Sequence, residues 1–179
     1  MTVDIEKLYG SPHKITLSLP SVLFPPVSRR RHGEVCMAIR RPNGRFLLHT
    51  KSSYPGAVMR LPSGGIKRGE DIEHALLREI WEETNLSVEV ERYLAAINYA
   101  DAYRRSPFLT HLFVVRETDG ELRNNDPKED ITQWREAGVE ELAGYADALR
   151  RVGEGWHNWG LFRAAALDIL ADHCGTGGD

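Results

Sequence analysis

Hydrophobic and polar residues alternate or recur along this 179-residue chain in segments that read as strands and helices in turn. Ile15, Leu17 and Leu19 alternate with Thr16 and Ser18, which predicts one short edge strand. Val35 to Arg40 and Phe46 to Lys51 are apolar runs joined by Pro42-Asn43-Gly44, a hairpin signal. A Gly-rich turn is expected at Ser63-Gly64-Gly65, then a helix over about Ile72 to Thr84, with Asp71 as N-cap. Leu86 to Ile97 and Phe108 to Arg116 are further strand candidates, the second closed by a turn at Thr118-Asp119-Gly120. A short strand is expected over Ile131 to Glu136, and helices over Glu140 to Arg150 and Trp159 to His173, the last capped by Asn158. Strands surround one central helix and helices end the chain, which favours an α/β (α+β) fold, an α/β/α sandwich on a central mixed β-sheet.

The helix over Ile72 to Thr84 has an unusual face. At about 100° per residue, Ile72, Ala75, Leu76 and Ile80 form one apolar stripe. Glu79 and Glu83 project within that stripe, and Glu82 lies just beside it. A solvated acidic face would instead lie opposite the apolar residues. Carboxylates aimed at a core are costly without compensation, and like charges three or four residues apart repel. A divalent cation compensates both. Carboxylate oxygens with no histidine or thiolate nearby favour Mg²⁺, with Mn²⁺ as a substitute, over Zn²⁺. The glycines at 64 and 65 allow close backbone approach, so carbonyls there can ligate a metal and amides can hold an anion.

Composition narrows the partners. The formal net charge of −3 argues against a duplex nucleic acid, which calls for a basic surface. No run of eighteen apolar residues is present, so no membrane span is expected, and the start of the chain carries Asp4 and Glu6 rather than a secretory signal. A cytoplasmic location is the default expectation. Cys36 and Cys174 match no metal or redox spacing and read as free thiols.

The segment Gly64 to Leu86, GGIKRGEDIEHALLREIWEETNL, resembles the signature of the Nudix hydrolases, G-x5-E-x7-R-E-U-x-E-E-x-G-U with U bulky and aliphatic. Gly64, Glu70, Arg78, Glu79, Ile80, Glu82, Glu83 and Leu86 stand in register. Asn85 replaces the penultimate glycine; asparagine is the next best residue for a left-handed helix end, so the fold should survive the change. The resemblance implies a Mg²⁺-dependent hydrolase cutting the diphosphate linkage of a nucleoside diphosphate derivative. By resemblance, Glu79, Glu82 and Glu83 would hold metal, one of them acting as the base, and the backbone around Ser63 and Gly64 would add a carbonyl ligand. Glu70 would pair with Arg78, which would orient the glutamates.

Other positions stay open at this point. The family often uses a carboxylate from a later loop; Glu129 and Asp130 are candidates, and a solvated turn around Asp126-Pro127-Lys128 is an equal reading. Tyr103 either stacks on a base or packs in the core. Arg104, Arg105 and Lys51 are candidate phosphate contacts. The proline typical of the ADP-ribose subgroup is missing at Tyr99-Ala100-Asp101-Ala102, which counts against that substrate. Trp156-His157-Asn158-Trp159 reads first as core packing or a dimer surface. Residues 1–33 are read as an N-terminal extension with a basic cluster at Arg29 to His32, residues 34–174 as one domain, and 175–179 as a flexible tail. A small-molecule nucleotide-like partner is expected, and a homodimer is compatible with the sequence. A non-catalytic nucleotide sensor is the alternative; an isoprenoid diphosphate isomerase would need a reactive cysteine near the metal, and nothing marks Cys36 as one.

Overall fold

A computed structural model describes residues 4–18, 33–100 and 108–175. Its order is α1 (Ile5–Tyr9), β1 (His13–Ser18), β2 (Gly33–Arg40), β3 (Phe46–Lys51), β4 (Ser63–Gly65), α2 (Ile72–Thr84), β5 (Leu86–Ala100), β6 (Phe108–Gly120), β7 (Ile131–Ala137), α3 (Val139–Arg150) and α4 (His157–Gly175). One seven-stranded sheet runs in the order β1-β5-β6-β2-β3-β7, with β4 paired to β2 off that path. Strands β1 and β5 pair in parallel, as do β2 and β6, and the other pairs are antiparallel. The sheet is therefore mixed, as the element pattern implied.

Strand β2 shows why both faces are covered. It is apolar along nearly its whole length, which suits a strand buried on two sides. Val35, Met37 and Ile39 pack with Ala75, Leu76 and Ile80 of α2. Cys36 and Ala38 join the opposite core with Leu142, Ala146 and Leu149 of α3 and Phe162, Leu167 and Leu170 of α4. Successive side chains of a strand point to opposite faces, so one run of sequence feeds two cores. The result is an α/β/α sandwich. No helix among the described residues is long and apolar enough to cross a membrane.

Several local expectations need correction. Ser63-Gly64-Gly65 is not a turn but a short strand, because Cys36, Val35 and Glu34 of β2 take it as an antiparallel partner. Thr118-Asp119-Gly120 is not a turn but the last three residues of β6; Asp119 and Gly120 still pair with Ser87 and Leu86. Asp71 occupies the N-cap position of α2, yet its side chain makes no capping hydrogen bond. Asn158 lies inside α4, which begins one residue earlier and runs through Gly175. The five-residue α1 was not foreseen; Asp4 caps it by accepting from the Lys7 amide, and Tyr9 of α1 donates to Glu73 of α2. The edge strand expected around Ile15 and Leu17 is present as β1, at the end of the sheet.

Asn85 takes the left-handed conformation, with φ 58° and ψ 18°. Its amide donates to the Trp81 carbonyl at 3.0 Å. Its side chain adds what glycine cannot: Nδ2 donates to the Glu121 carbonyl at 2.9 Å, and Oδ1 accepts from Asn125 at 3.0 Å and Arg123 at 3.2 Å. These bonds offset the small strain of a non-glycine residue there.

Candidate active site

The site forms where both helical layers meet β4, the short strand paired to the interior strand β2. Helix α2 approaches from one face and α4 from the other, with β4 between them. Arg78 is the hub on the α2 side. Its Nε and Nη2 donate to Glu70 at 2.7 and 2.8 Å, a two-armed pair. Its Nη1 donates to Glu79 at 2.7 Å and to Glu82 at 3.0 Å, and Nη2 also reaches the Gly65 carbonyl at 3.0 Å. Glu70 also accepts from the Lys67 amide at 2.9 Å. Together these bonds hold the Glu70 carboxyl down at about 2, the Arg78 hydrogen bonds being the largest cause.

The three glutamates occupy different environments. Glu79 is 9% exposed and Glu83 is 1% exposed, so the periodicity that set them within the apolar stripe describes the folded helix. Glu82 is more open, with its side chain 30% exposed. Glu79 packs against Gly64 so closely that a methyl group at residue 64 would overlap its carboxyl group. Glu83 Oε2 is buried with no hydrogen-bond partner. Burial pushes the Glu83 carboxyl up to about 8, although the nearby charges of Arg60 and Lys51 pull the other way.

Among the described residues, no three acidic, histidine or cysteine side chains stand together as a ready-made metal site. The cause on α2 is visible: Arg78 draws Glu79 and Glu82 to its guanidinium. The donor set nonetheless fits a hard divalent cation. A buried carboxylate oxygen without a partner is expensive, and a cation would satisfy it. The glycine at 64 leaves the space that the Glu79 carboxylate fills.

The structure brings several other candidates to the same place. Lys51, at the end of β3, pairs with Glu129, and both line a cleft of about 840 Å³ with Glu79, Glu82, Ser63 and Gly64. Asp130 does not line this cleft and accepts from Ser52. Tyr103, Arg104 and Arg105 lie outside the described residues, as does the basic cluster at Arg29 to His32.

Among the cleft residues that the sequence did not single out as site residues are Glu34, Tyr54, Arg60, Trp159 and Arg163. Arg60 is buried and donates to the Tyr54 hydroxyl at 2.6 Å, the Leu61 carbonyl at 2.7 Å and Ser63 Oγ at 2.9 Å. Arg163 donates through Nη1 to both Glu34 oxygens, at 2.9 and 3.0 Å, and to Ser63 Oγ at 2.9 Å. Thr110 donates to the same Glu34 carboxylate at 2.9 Å. Trp159 packs on Tyr54 with ring centroids 4.8 Å apart and on Trp156 at 5.4 Å. The signal available was a charge inside an apolar run: Met59-Arg60-Leu61 and Phe162-Arg163-Ala164 each imply a buried partner.

A mixed sheet between helical layers, with a glutamate-rich helix following a glycine strand, defines the class to which this site belongs. The family model described as the NUDIX domain matches residues 30–155. The chain belongs to the NUDIX family. Among curated relatives, an ADP-ribose pyrophosphatase of Methanocaldococcus jannaschii is 31% identical over 88 residues, 49% of this chain and 52% of that protein. Phosphatase NudJ of Escherichia coli K12 is 27% identical over 92 residues, 51% of this chain and 60% of that protein. The matches thus span little more than half the length of these relatives. Among solved structures, a NUDIX hydrolase from Nitrosomonas europaea superposes with TM-score 0.57 at 16% identity, over 81% of this chain and 90% of its own. An Ap4A hydrolase of C. elegans gives TM-score 0.51 at 19% identity, over 80% of this chain and 98% of its own. These likenesses show the shared fold.

Proposed function

We propose that the protein hydrolyses the diphosphate linkage of a nucleoside diphosphate derivative with the help of Mg²⁺. The observation that carries this reading is the buried, unpartnered carboxyl oxygen of Glu83 on the same helix as Glu79 and Glu82, which line a cleft rich in cationic side chains. Glu79, Glu82 and Glu83 would hold the cation, with a backbone carbonyl from Ser63 or Gly64 and with Glu129 from the facing loop. The cation would supply charge neutralisation on the phosphoryl oxygens and would make water more acidic. The chain's own residues do the rest. Arg78, fixed by Glu70, sets where Glu79 and Glu82 lie. One carboxylate of the trio takes the proton from the attacking water. Lys51 offers a positive charge to a phosphate oxygen once released from Glu129.

Residues 34–174 carry this activity, with α1 and β1 packed on the same sheet. The names of the relatives, an ADP-ribose pyrophosphatase and a phosphatase, support a substrate with linked phosphates. The signature handles the shared diphosphate, and variable loops choose the remainder. The test is a panel of ADP-ribose, dinucleoside polyphosphates, nucleoside triphosphates and nucleotide sugars, incubated with and without Mg²⁺, with products identified by mass. Mg²⁺-dependent release of a nucleotide from at least one compound is expected. Tight binding with no turnover of any compound would instead favour a nucleotide sensor.

A further inference from the structure

The bonds of Arg163 leave part of its guanidinium unused. Among the described residues, its three hydrogen bonds all leave from Nη1, two to Glu34 and one to Ser63. Nε is buried without a partner, and Nη2 donates to nothing among the described residues. The side chain is 18% exposed, and the residue lines the cleft. Its position is fixed from two further directions: Thr110 holds the Glu34 carboxylate, and the Arg163 guanidinium lies 4.4 Å from the Phe162 ring centroid. An arginine that needed only to neutralise Glu34 would use the fork geometry, two nitrogens on two oxygens. Here one nitrogen takes both oxygens, and among the described residues nothing accepts from the other.

Ser63 and Gly64 lie between this arginine and the glutamates. Ser63 Oγ accepts from Arg60 and Arg163, while Gly64 packs against Glu79. The cleft therefore has an acidic wall on α2 and a guanidinium wall on the α4 side, separated by two residues of β4. Trp159 stands four residues before Arg163, one helical turn away, and also lines the cleft beside Tyr54.

We propose that Arg163 is a substrate-binding residue: its free Nη2 donates to a nonbridging phosphate oxygen on the side of the diphosphate that faces away from the α2 glutamates. This rests on the hydrolase reading for its substrate, not for its test. Glu34 is a positioning residue that holds Arg163 in place. The ligand class is a diphosphate, recognised as an anion, and Trp159 and Tyr54 border the space where the group attached to it extends. Arg163 lies outside the signature, so it is a diphosphate contact that the signature residues do not themselves supply.

The probes are inorganic pyrophosphate and ADP, with binding measured calorimetrically in chelator so that no turnover intervenes. Wild-type protein is expected to bind both. Arg163→Met is expected to weaken both by roughly tenfold or more, as loss of a charge-assisted hydrogen bond to phosphate does. Arg163→Lys should recover only part, because a single ammonium cannot hold Glu34 and present a second planar donor. Because Arg163→Met strands the Glu34 carboxylate, the double variant Arg163→Met with Glu34→Gln is measured alongside, and its melting temperature reports folding. In steady-state kinetics the folded variant should raise KM with kcat within about threefold, the mark of a ground-state contact. Unchanged binding of both probes by either folded variant would overturn the proposal, as would no binding by the wild type. If the wild type binds in an Arg163-dependent way but turns over no diphosphate with Mg²⁺, the hydrolase reading fails and the arginine's role stands.

Discussion

The carboxyl group of Glu79 rests on the α-carbon of Gly64, in the space a β-carbon would occupy. This contact ties the glycine strand to the acidic helix and sets how near Glu79 comes to the cleft. Gly64→Ala should leave the fold intact, because the overlapped group is the end of a flexible side chain. It should displace Glu79 and lower turnover by roughly a hundredfold, the scale that an ångström of misplacement costs. Steady-state kinetics with a melting curve checks both parts. Full activity in a folded Gly64→Ala protein would show that the contact is incidental.

Glu83→Gln separates stability from activity. The carboxylate is buried, has an oxygen without a partner and holds its proton up to about pH 8. Replacing it with a neutral amide should leave the melting temperature nearly unchanged below about pH 8, where the folded carboxyl is already uncharged. Turnover should fall by at least roughly a hundredfold. Turnover within about twofold of wild type would refute the role assigned to Glu83.

Arg78 joins Glu70, Glu79 and Glu82 through one guanidinium, so Arg78→Lys should not be a conservative change. A lysine cannot keep the two-armed bond to Glu70 and reach the other two. Activity should fall roughly tenfold or more, with a smaller effect on melting. The Glu70 titration gives a second readout. With its carboxyl held at about 2, the pair's contribution to stability is present above the ordinary glutamate range, about 4.3, and is lost as pH falls toward 2. In Arg78→Lys, carboxyl NMR should show Glu70 moving back toward its ordinary value; a Glu70 still titrating near 2 would deny that Arg78 sets it.

The signature helix was legible because its chemistry broke its own periodicity. Glutamates within an apolar stripe could be read without coordinates, and so could the left-handed end at Asn85. The β4 strand was not legible, since Ser-Gly-Gly has the composition of a turn and only pairing with Cys36, Val35 and Glu34 makes it a strand. The guanidinium wall was hidden for a different reason. Arg60 and Arg163 lie 103 positions apart in the chain and meet at Ser63 only after α4 packs on the sheet. Local pattern carries no information about such a meeting.

His111 reports on the sheet rather than the site. It is buried, shares a hydrogen bond with Tyr93, and burial pushes its pKa down to about 4, against a partial upward pull from Glu34. The folded protein therefore takes up this proton only near pH 4, while the unfolded chain takes it up near about 6.5. Stability from this group is complete above about 6.5 and declines as pH drops toward 4. The loss of melting temperature between pH 7 and pH 5 should be smaller in His111→Gln than in wild type. An equal loss in both would assign the acid sensitivity elsewhere.

Uptake of Mn²⁺ tests the acidic helix most directly, with the free ion counted by electron paramagnetic resonance as protein is added. Wild-type protein should remove Mn²⁺ from solution at submillimolar concentrations, and a folded Glu79→Gln, Glu83→Gln double variant should leave nearly all of it free. Equal free Mn²⁺ with both proteins would contradict the assignment of Glu79 and Glu83 as the residues that hold the cation.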